Sequence, residues 1–280
     1  MDYYERFHRE EDAAWERLWL AYAAAPGSRS DLPAFPSAEV QQRVHGTTFA
    51  RAMSGALALR HFTLRFVRRV LATPVVPEMC VLDFGCGWGR LLRTFLKDIH
   101  TDNLVGTDID PELVELARTL LPEVRFTVNE RLAPLEFPDA SFDIVIANSV
   151  FSHLAERNFQ FWMQELARVL KPGRALVFTS WGRGLLDMAR NVFETGERQF
   201  PWQRNILNGF ASHEELRARY SSGTFVFAGT GGGTHLAPED FGIAMVPRAY
   251  FTEHVPGLEL MEFLDDPMQF SQSIFFARKR

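Results

Sequence analysis

Cysteine is nearly absent: the 280 residues hold two, Cys80 and Cys86. Two neighbouring thiols give no framework of pairs, so the chain is expected to fold in a reducing compartment without structural disulfides. They have no partner histidines at ligand spacing, which leaves no zinc site, and no cluster of acids marks a magnesium site, so no metal is expected. Long apolar runs are also missing, and nothing approaches the length of a bilayer span. The charged opening MDYYERFHREEDAAWERL lacks the apolar region of a secretory signal. Basic charge is in deficit, with 30 Lys and Arg against 35 Asp and Glu and a net charge of −5. That argues against nucleic acid as the main partner, because neutralising phosphates takes clustered excess Lys and Arg. These deficits predict a cytoplasmic protein with neither membrane nor nucleic-acid partners, its oligomeric state open.

What is present suits a core of ordinary size, since 46% of residues are hydrophobic and 23% charged. Residues 3–25 place Tyr4, Phe7, Trp15, Leu18, Trp19 and Tyr22 at helical spacing and stop at Pro26-Gly27. A linker, PGSRSDLPAFPS, leads to a second helical region over about 38–72. The two together predict a helical N-terminal cap over 1–75. From residue 79 the texture changes. Short apolar runs, MCVLDF, NLVGTDI, VRFTVNE, FDIVIANS and RALVFTSWG, read as strands. Between them lie the amphipathic GRLLRTFLKDI, a helix opened by Pro111, and a helix near RNFQFWMQELARVL that stops at Lys171-Pro172-Gly173. This alternation predicts an α/β fold with a doubly wound parallel sheet. Regularity fails after Gly184, where an insertion over about 183–240 is expected. FGIAMV, LELMEFL and QSIFFARK then read as the last strands, with a short helix at RAYFTEHV.

In open parallel sheets, ligands sit beyond the carboxyl ends of strands near the switch point. VLDFGCGWGR, residues 81–90, occupies that place, with Gly85, Gly87 and Gly89 at alternate positions. Glycines there allow a tight turn and let a ligand touch the main chain. The spacing is G-x-G-x-G, with Arg90 where a dinucleotide fingerprint wants its third glycine, and no G-K-[ST] follows. A nicotinamide cofactor is weakened by this spacing and not excluded by it.

VLDFGCGWGR resembles the first motif of the class I S-adenosylmethionine-dependent methyltransferases. LVGTDIDPELVELAR, LAPLEFPDASFDIVIANSVFSHL and ELARVLKPGRALVFTSWG resemble, in order, three further blocks of that family. Together they cover about residues 79–182. The wording SVFSHL is most similar to a bacterial subgroup acting on small molecules. The resemblance implies a Rossmann-like, mostly parallel seven-stranded sheet over 76–280, with the cap and the insertion on the substrate side. It implies S-adenosyl-L-methionine as cofactor. Gly85, Cys86, Gly87 and Gly89 would face its methionine part, Asp83 its amino group, and Asp108 with Ile109 its ribose. Asn129 and Glu130 match the region meeting adenine, and Asn148 with Ser149 would lie under the sulfonium. The expected reaction is methyl transfer to oxygen or nitrogen of a small-molecule acceptor, such as a natural-product intermediate. A peptide or protein acceptor, a non-catalytic cofactor-binding protein and a nicotinamide-dependent oxidoreductase are the alternatives.

A sulfonium methyl is already electrophilic, so the protein must mainly align an in-line attack and exclude water. A base is needed only when the nucleophile arrives protonated. His153, after the fourth strand, and His235, beside the loop GTGGGT at 229–234, are the candidates, and that loop is a candidate lid. Elsewhere ordinary packing is the stronger expectation. Tyr3, Tyr4 and Phe7, which could close the pocket, read rather as helix packing; Arg43 and His45, which could reach cofactor or substrate, read as surface residues, and Cys86 as a small packed residue. Arg60, His61, Arg65, Arg68 and Arg69 read as a solvated basic stripe. Trp88 is expected to pack on the following segment or on the cap.

Overall fold

The computed structural model describes residues 2–231 and 236–280. His235 and residues 232–234 of the expected lid loop lie outside the described residues. Contacts divide the chain into two units, Met1–Ile146 and Ala147–Arg280.

The first unit opens with helices α1 (Tyr3–Phe7), α2 (Asp12–Ala24), α3 (Ala38–His45) and α4 (Phe49–Arg65). Each helical stretch expected from periodicity is thus broken in two. Gly46, at φ 66, ends α3 in a left-handed turn, a conformation that glycine adopts without strain. Ser37 caps α3 at its start, its hydroxyl accepting from the amide of Val40. Trp15 and Trp19 on α2 are fully buried, and Trp15 Nε1 donates to the Thr94 carbonyl at 2.8 Å. The "solvated stripe" on α4 needs correction at Arg60, which is fully buried. Its guanidinium donates to both oxygens of Asp98, at 2.8 and 2.9 Å, and to Asp12 at 2.6 Å. Burial disfavours the charge of Asp12, but Arg60 and Lys97 outweigh it and hold the carboxyl well below its usual range.

Strands β1 (Val81–Phe84), β2 (Leu104–Asp108), β3 (Arg125–Val128) and β4 (Phe142–Ala147) follow, with helix α5 (Pro111–Leu120) between β2 and β3. β1 pairs in parallel with both β2 and β4, and β2 with β3. β1 therefore lies at the point where the connections reverse direction, and the glycine stretch leaves its carboxyl end. The amphipathic GRLLRTFLKDI forms turns around a 3-10 helix at Leu92–Phe95 instead of a long helix. Residues 91–99 are all buried, so no solvent face survives to favour a regular amphipathic helix.

The second unit contains α6 (Glu156–Val169), β5 (Leu170–Ser180), α7 (Arg183–Thr195), α8 (Pro201–Gly209), α9 (His213–Ser221), β6 (Val226–Gly229), β7 (Gly242–Met245), α10 (Arg248–His254), β8 (Leu258–Leu264) and β9 (Ser273–Lys279). Lys171-Pro172-Gly173 does not lie beyond the end of α6 in a loop; it falls inside β5, which starts at Leu170. FGIAMV is β7, and it pairs with β6 in a separate two-stranded sheet instead of joining the main one. Its partner comes from the irregular stretch, whose helices α7, α8 and α9 bury Leu185, Ala189, Val192, Ile206 and Leu216 against Val226 and Met245. β5 pairs antiparallel with β9, and β9 with β8. The main sheet has seven strands in the order β3-β2-β1-β4-β5-β9-β8, a mostly parallel Rossmann-like α/β sheet. No helix among the described residues is long and apolar enough to cross a membrane.

Candidate functional site

At Phe84 the chain leaves the sheet at once. The amides of Gly85 and Cys86 both donate to the Thr107 carbonyl on β2, at 2.8 and 3.0 Å, and the Gly89 amide donates back to the Cys86 carbonyl at 2.9 Å. The three alternate glycines hold φ values of 76, 53 and 77, a region where a side chain strains the backbone. Space is limiting as well. A Cβ at Gly89 would lie 2.9 Å from the Phe126 ring, whereas one at Gly87 would meet Val44 and His45 only at the ordinary contact distances of 3.4 and 3.9 Å. At Gly106, beneath the loop, a Cβ would come within 2.6 Å of Phe126 and 2.9 Å of the Cys86 sulfur.

β2 ends on Asp108, which is half-buried. Its Oδ2 accepts from the Gly87 amide at 2.8 Å and its Oδ1 from the Asp110 amide at 3.0 Å. Burial raises its carboxyl above the usual range against the pull of these amides. The amide of Asn129 donates to the Asp108 carbonyl at 3.0 Å, and Asn129 Oδ1 accepts from the Thr107 hydroxyl at 3.2 Å. The ends of β1, β2 and β3 thus bring the glycine loop, Asp108, half-buried Ile109 and Asn129 together, while Glu130 is exposed. Cys86 is buried beneath. Burial, then the charges of Asp108 and Asp83, hold its thiol well above 9.0, so at neutral pH it is packing and not a nucleophile.

Asp83 lies inside β1, 2% exposed. Burial pushes its carboxyl up to about 7; Arg90 opposes this and Asp108 adds to it. The same burial lowers Arg90 to about 10, against the pull of Asp83. An acid whose folded pKa exceeds its ordinary 3.8 binds more protons folded than unfolded. Its stabilising contribution is therefore full at low pH and is lost as pH rises from about 4 to about 7. Asp83→Asn should raise the melting temperature of the ligand-free protein more at pH 8 than at pH 5. Equal shifts at both pH values in a thermal melt would contradict this charge state.

Asn148 and Ser149, both half-buried, follow β4 in the second unit. Ser149 holds φ 61. Its amide donates to the Thr179 hydroxyl at 2.7 Å, and its own hydroxyl accepts from Gln272 Nε2 at 3.0 Å. These bonds pin a left-handed backbone that serine rarely adopts, and such strain gathers at functional sites. His153 stacks on Phe241, ring centroids 4.9 Å apart, with Nδ1 3.0 Å from the Gly242 carbonyl. A carbonyl only accepts, so Nδ1 carries the proton and Nε2 keeps its lone pair. Burial holds the imidazole below its usual pKa, only partly offset by the Gly242 bond.

His45 corrects the sequence expectation of a surface residue. Its Nε2 is buried without a partner, and burial, then the charge of Arg90, hold the ring well below 6.5. It packs on Trp88, centroids 5.7 Å apart. Fully buried Trp88 also meets Phe35 at 6.2 Å and lies 4.8 Å from the Arg93 guanidinium. Trp88 therefore packs on the helices that precede the sheet. The closest sequence signal for His45 was its place just before Gly46, at a helix end.

A carboxylate with one bond at each oxygen still has a free lone pair on each, as a vicinal diol requires. The left-handed glycines leave bare main chain beside it, and His45 Nε2, Trp88 Nε1 and Arg90 Nε around the loop are buried without partners. These residues fit an adenosylated amino-acid cofactor. A family model described as a methyltransferase domain matches residues 81–173. Over that third of the chain the sequence is a methyltransferase domain, similar to those of the class I S-adenosylmethionine-dependent methyltransferases. S-adenosylmethionine is the cofactor of this family.

The methyltransferase domain is 37% identical over 137 residues to 2-methyl-6-phytyl-1,4-hydroquinone methyltransferase from Synechocystis, covering 47% of this chain and 38% of that protein. It is 33% identical over 138 residues to the probable tRNA methyltransferase 9B of Mus musculus, covering 49% and 28%. The chain thus spans less than half the length of these relatives. Among solved structures, the magnesium protoporphyrin IX methyltransferase of Synechocystis, with SAH bound, shares the fold at a TM-score of 0.52 and 17% identity. That match covers 86% of this chain and 94% of the other.

Proposed function

We propose that this chain transfers a methyl group from S-adenosylmethionine to a protonated oxygen or nitrogen of a small molecule. The observation that carries the reading is the union of Asp108 with the glycine loop: one carboxylate tied to the Gly87 amide at the ends of β1 and β2. The relatives named above include one acting on a hydroquinone, which supports a small acceptor, and so does the net charge of −5. When bound, the cofactor supplies an electrophilic methyl on a sulfonium. Asp108 would hold the ribose hydroxyls, the loop of Gly85, Cys86, Gly87 and Gly89 the amino-acid chain, and Asp83 the amino group, with Asn129 beside adenine. Asn148 and Ser149 would line the sulfonium side.

His153 is the proposed general base. A hydroxyl or amine acceptor must lose a proton as it is methylated, and Nε2 of a neutral imidazole receives it. The Gly242 carbonyl fixes the tautomer and the Phe241 ring fixes the plane. Replacing His153 with glutamine should lower kcat by about a hundredfold or more with little change in KM for the cofactor. The acidic limb of the kcat/KM profile should vanish with it. Methyl transfer from labelled S-adenosylmethionine to a panel of phenols, carboxylic acids and amines checks both the transfer and the base. No transfer to any of them, with S-adenosylhomocysteine bound, would leave a cofactor-binding protein without turnover.

A further inference from the structure

The second unit holds a cavity of about 590 Å³ between α7, α9 and the start of α10, within the size range of small-molecule sites. Four arginines line it: Arg183 and Arg190 from α7, Arg217 from α9 and Arg248 from α10. None of the four guanidinium groups forms an ion pair among the described residues. Only two carboxylates share the lining, Asp187 and Asp265. Asp265 is engaged already: its Oδ1 accepts from the Arg183 amide at 2.8 Å and its Oδ2 from the Tyr220 hydroxyl at 2.9 Å. His213 Nε2 is also buried in the lining without a partner.

A concentration of positive charge in a chain of net charge −5 is not a general property of its surface. Like charges gathered around a concave wall focus the field and raise the local concentration of anions. Guanidinium forks match carboxylate and phosphate oxygens in pairs. Leu186, Pro247 and Phe263 add apolar wall to the same cavity. We propose that this cavity binds a small organic anion, a carboxylate or phosphate group on an apolar body. The arginines hold the oxyanion and the apolar wall holds the body. The arginines are exposed around an open concavity of limited extent, which favours a small molecule over a nucleic acid, since the latter needs an extended basic surface. This site goes beyond the methyl-transfer reading and does not depend on it.

Calorimetric titration of the full chain with phenyl phosphate, benzoate and benzyl alcohol tests the proposal. One or both anions should bind, more weakly as salt is raised, and the neutral alcohol should not. Phenyl phosphate alone would identify a phosphate site, benzoate alone a carboxylate site. The double variant Arg190→Gln/Arg217→Gln should weaken anion binding by about tenfold or more, with S-adenosylhomocysteine affinity unchanged as the measure of an intact protein. Should that variant lose both ligands, Ala249→Glu, an exposed change on the cavity wall, must weaken the anion alone. Anions bound no more tightly than benzyl alcohol, or bound equally by wild type and an intact variant, overturn the proposal. Loss of S-adenosylhomocysteine binding in the wild type would instead refute the methyltransferase reading and leave this one standing.

Discussion

Asp108→Ala is expected to weaken S-adenosylhomocysteine binding by about a hundredfold or more. Two hydrogen bonds from a ribose diol to a carboxylate are each worth about 1.5–3 kcal/mol, and every 1.4 kcal/mol is a factor of about ten. The substitution also removes the acceptors of the Gly87 and Asp110 amides, at 2.8 and 3.0 Å. Gly87 then loses the bond that ties the glycine loop to β2, so the loop should loosen together with the ribose contact. Asp108→Asn separates the two effects. It keeps one oxygen and the side-chain volume, and should lose affinity by roughly tenfold instead, the charge-assisted share of one bond. Calorimetry on the three proteins reads both. An alanine variant within about fivefold of wild type would remove Asp108 from the ribose site.

The largest effect on stability is expected at Asp98. Its side chain is 4% exposed and that of Arg60 is 1% exposed, paired at 2.8 Å. Removing one partner of a buried pair leaves an uncompensated charge, at about 3–5 kcal/mol. Asp12 stays 2.6 Å from Arg60 and Lys97 stays 2.9 Å from Asp12, which favours the lower end. Asp98→Ala should therefore cost about 3 kcal/mol and lower the melting temperature by roughly 6–9 °C. Replacing the pair together, Arg60→Met with Asp98→Leu, should cost far less, because it removes the desolvated charges along with the bond. Urea unfolding of Arg60→Met, Asp98→Leu and the double closes the cycle. A loss below about 1 kcal/mol for Asp98→Ala would mean that the pair is screened despite its burial.

These two acids show what a sequence gives away. Asp108 was legible through the family resemblance, which ties the acid closing the second strand to the glycine loop 21 residues before it; the three alternate glycines themselves were legible because left-handed backbone is a local demand. The alternation of strands and helices was legible for the same reason, since period and turn chemistry act over a few residues. Arg60 was not legible. With His61, Arg65, Arg68 and Arg69 it reads as part of a solvated basic face, and its partners stand 38 and 48 residues away. β7 misled in a similar way: its apolar run is a strand, but its partner is β6, across the irregular stretch. His45 carried no motif at all. Only the packing of α3 against Gly87 gives it a place near the loop.

That packing has an evolutionary consequence. Val44 and His45 lie 3.4 and 3.9 Å from where a Cβ at Gly87 would stand, so α3 covers the bare Cα at contact distance and residues 44, 45 and 87 are neighbours despite their separation in the chain. A larger residue at 44 narrows the room over Gly87, and a smaller one widens it. Drift in α3 is therefore confined to combinations that keep the Cα of Gly87 bare. A search of related chains for paired changes at 45 and 88, the two rings in contact between α3 and the glycine stretch, would see the cap and the glycine motif vary as a single unit of inheritance.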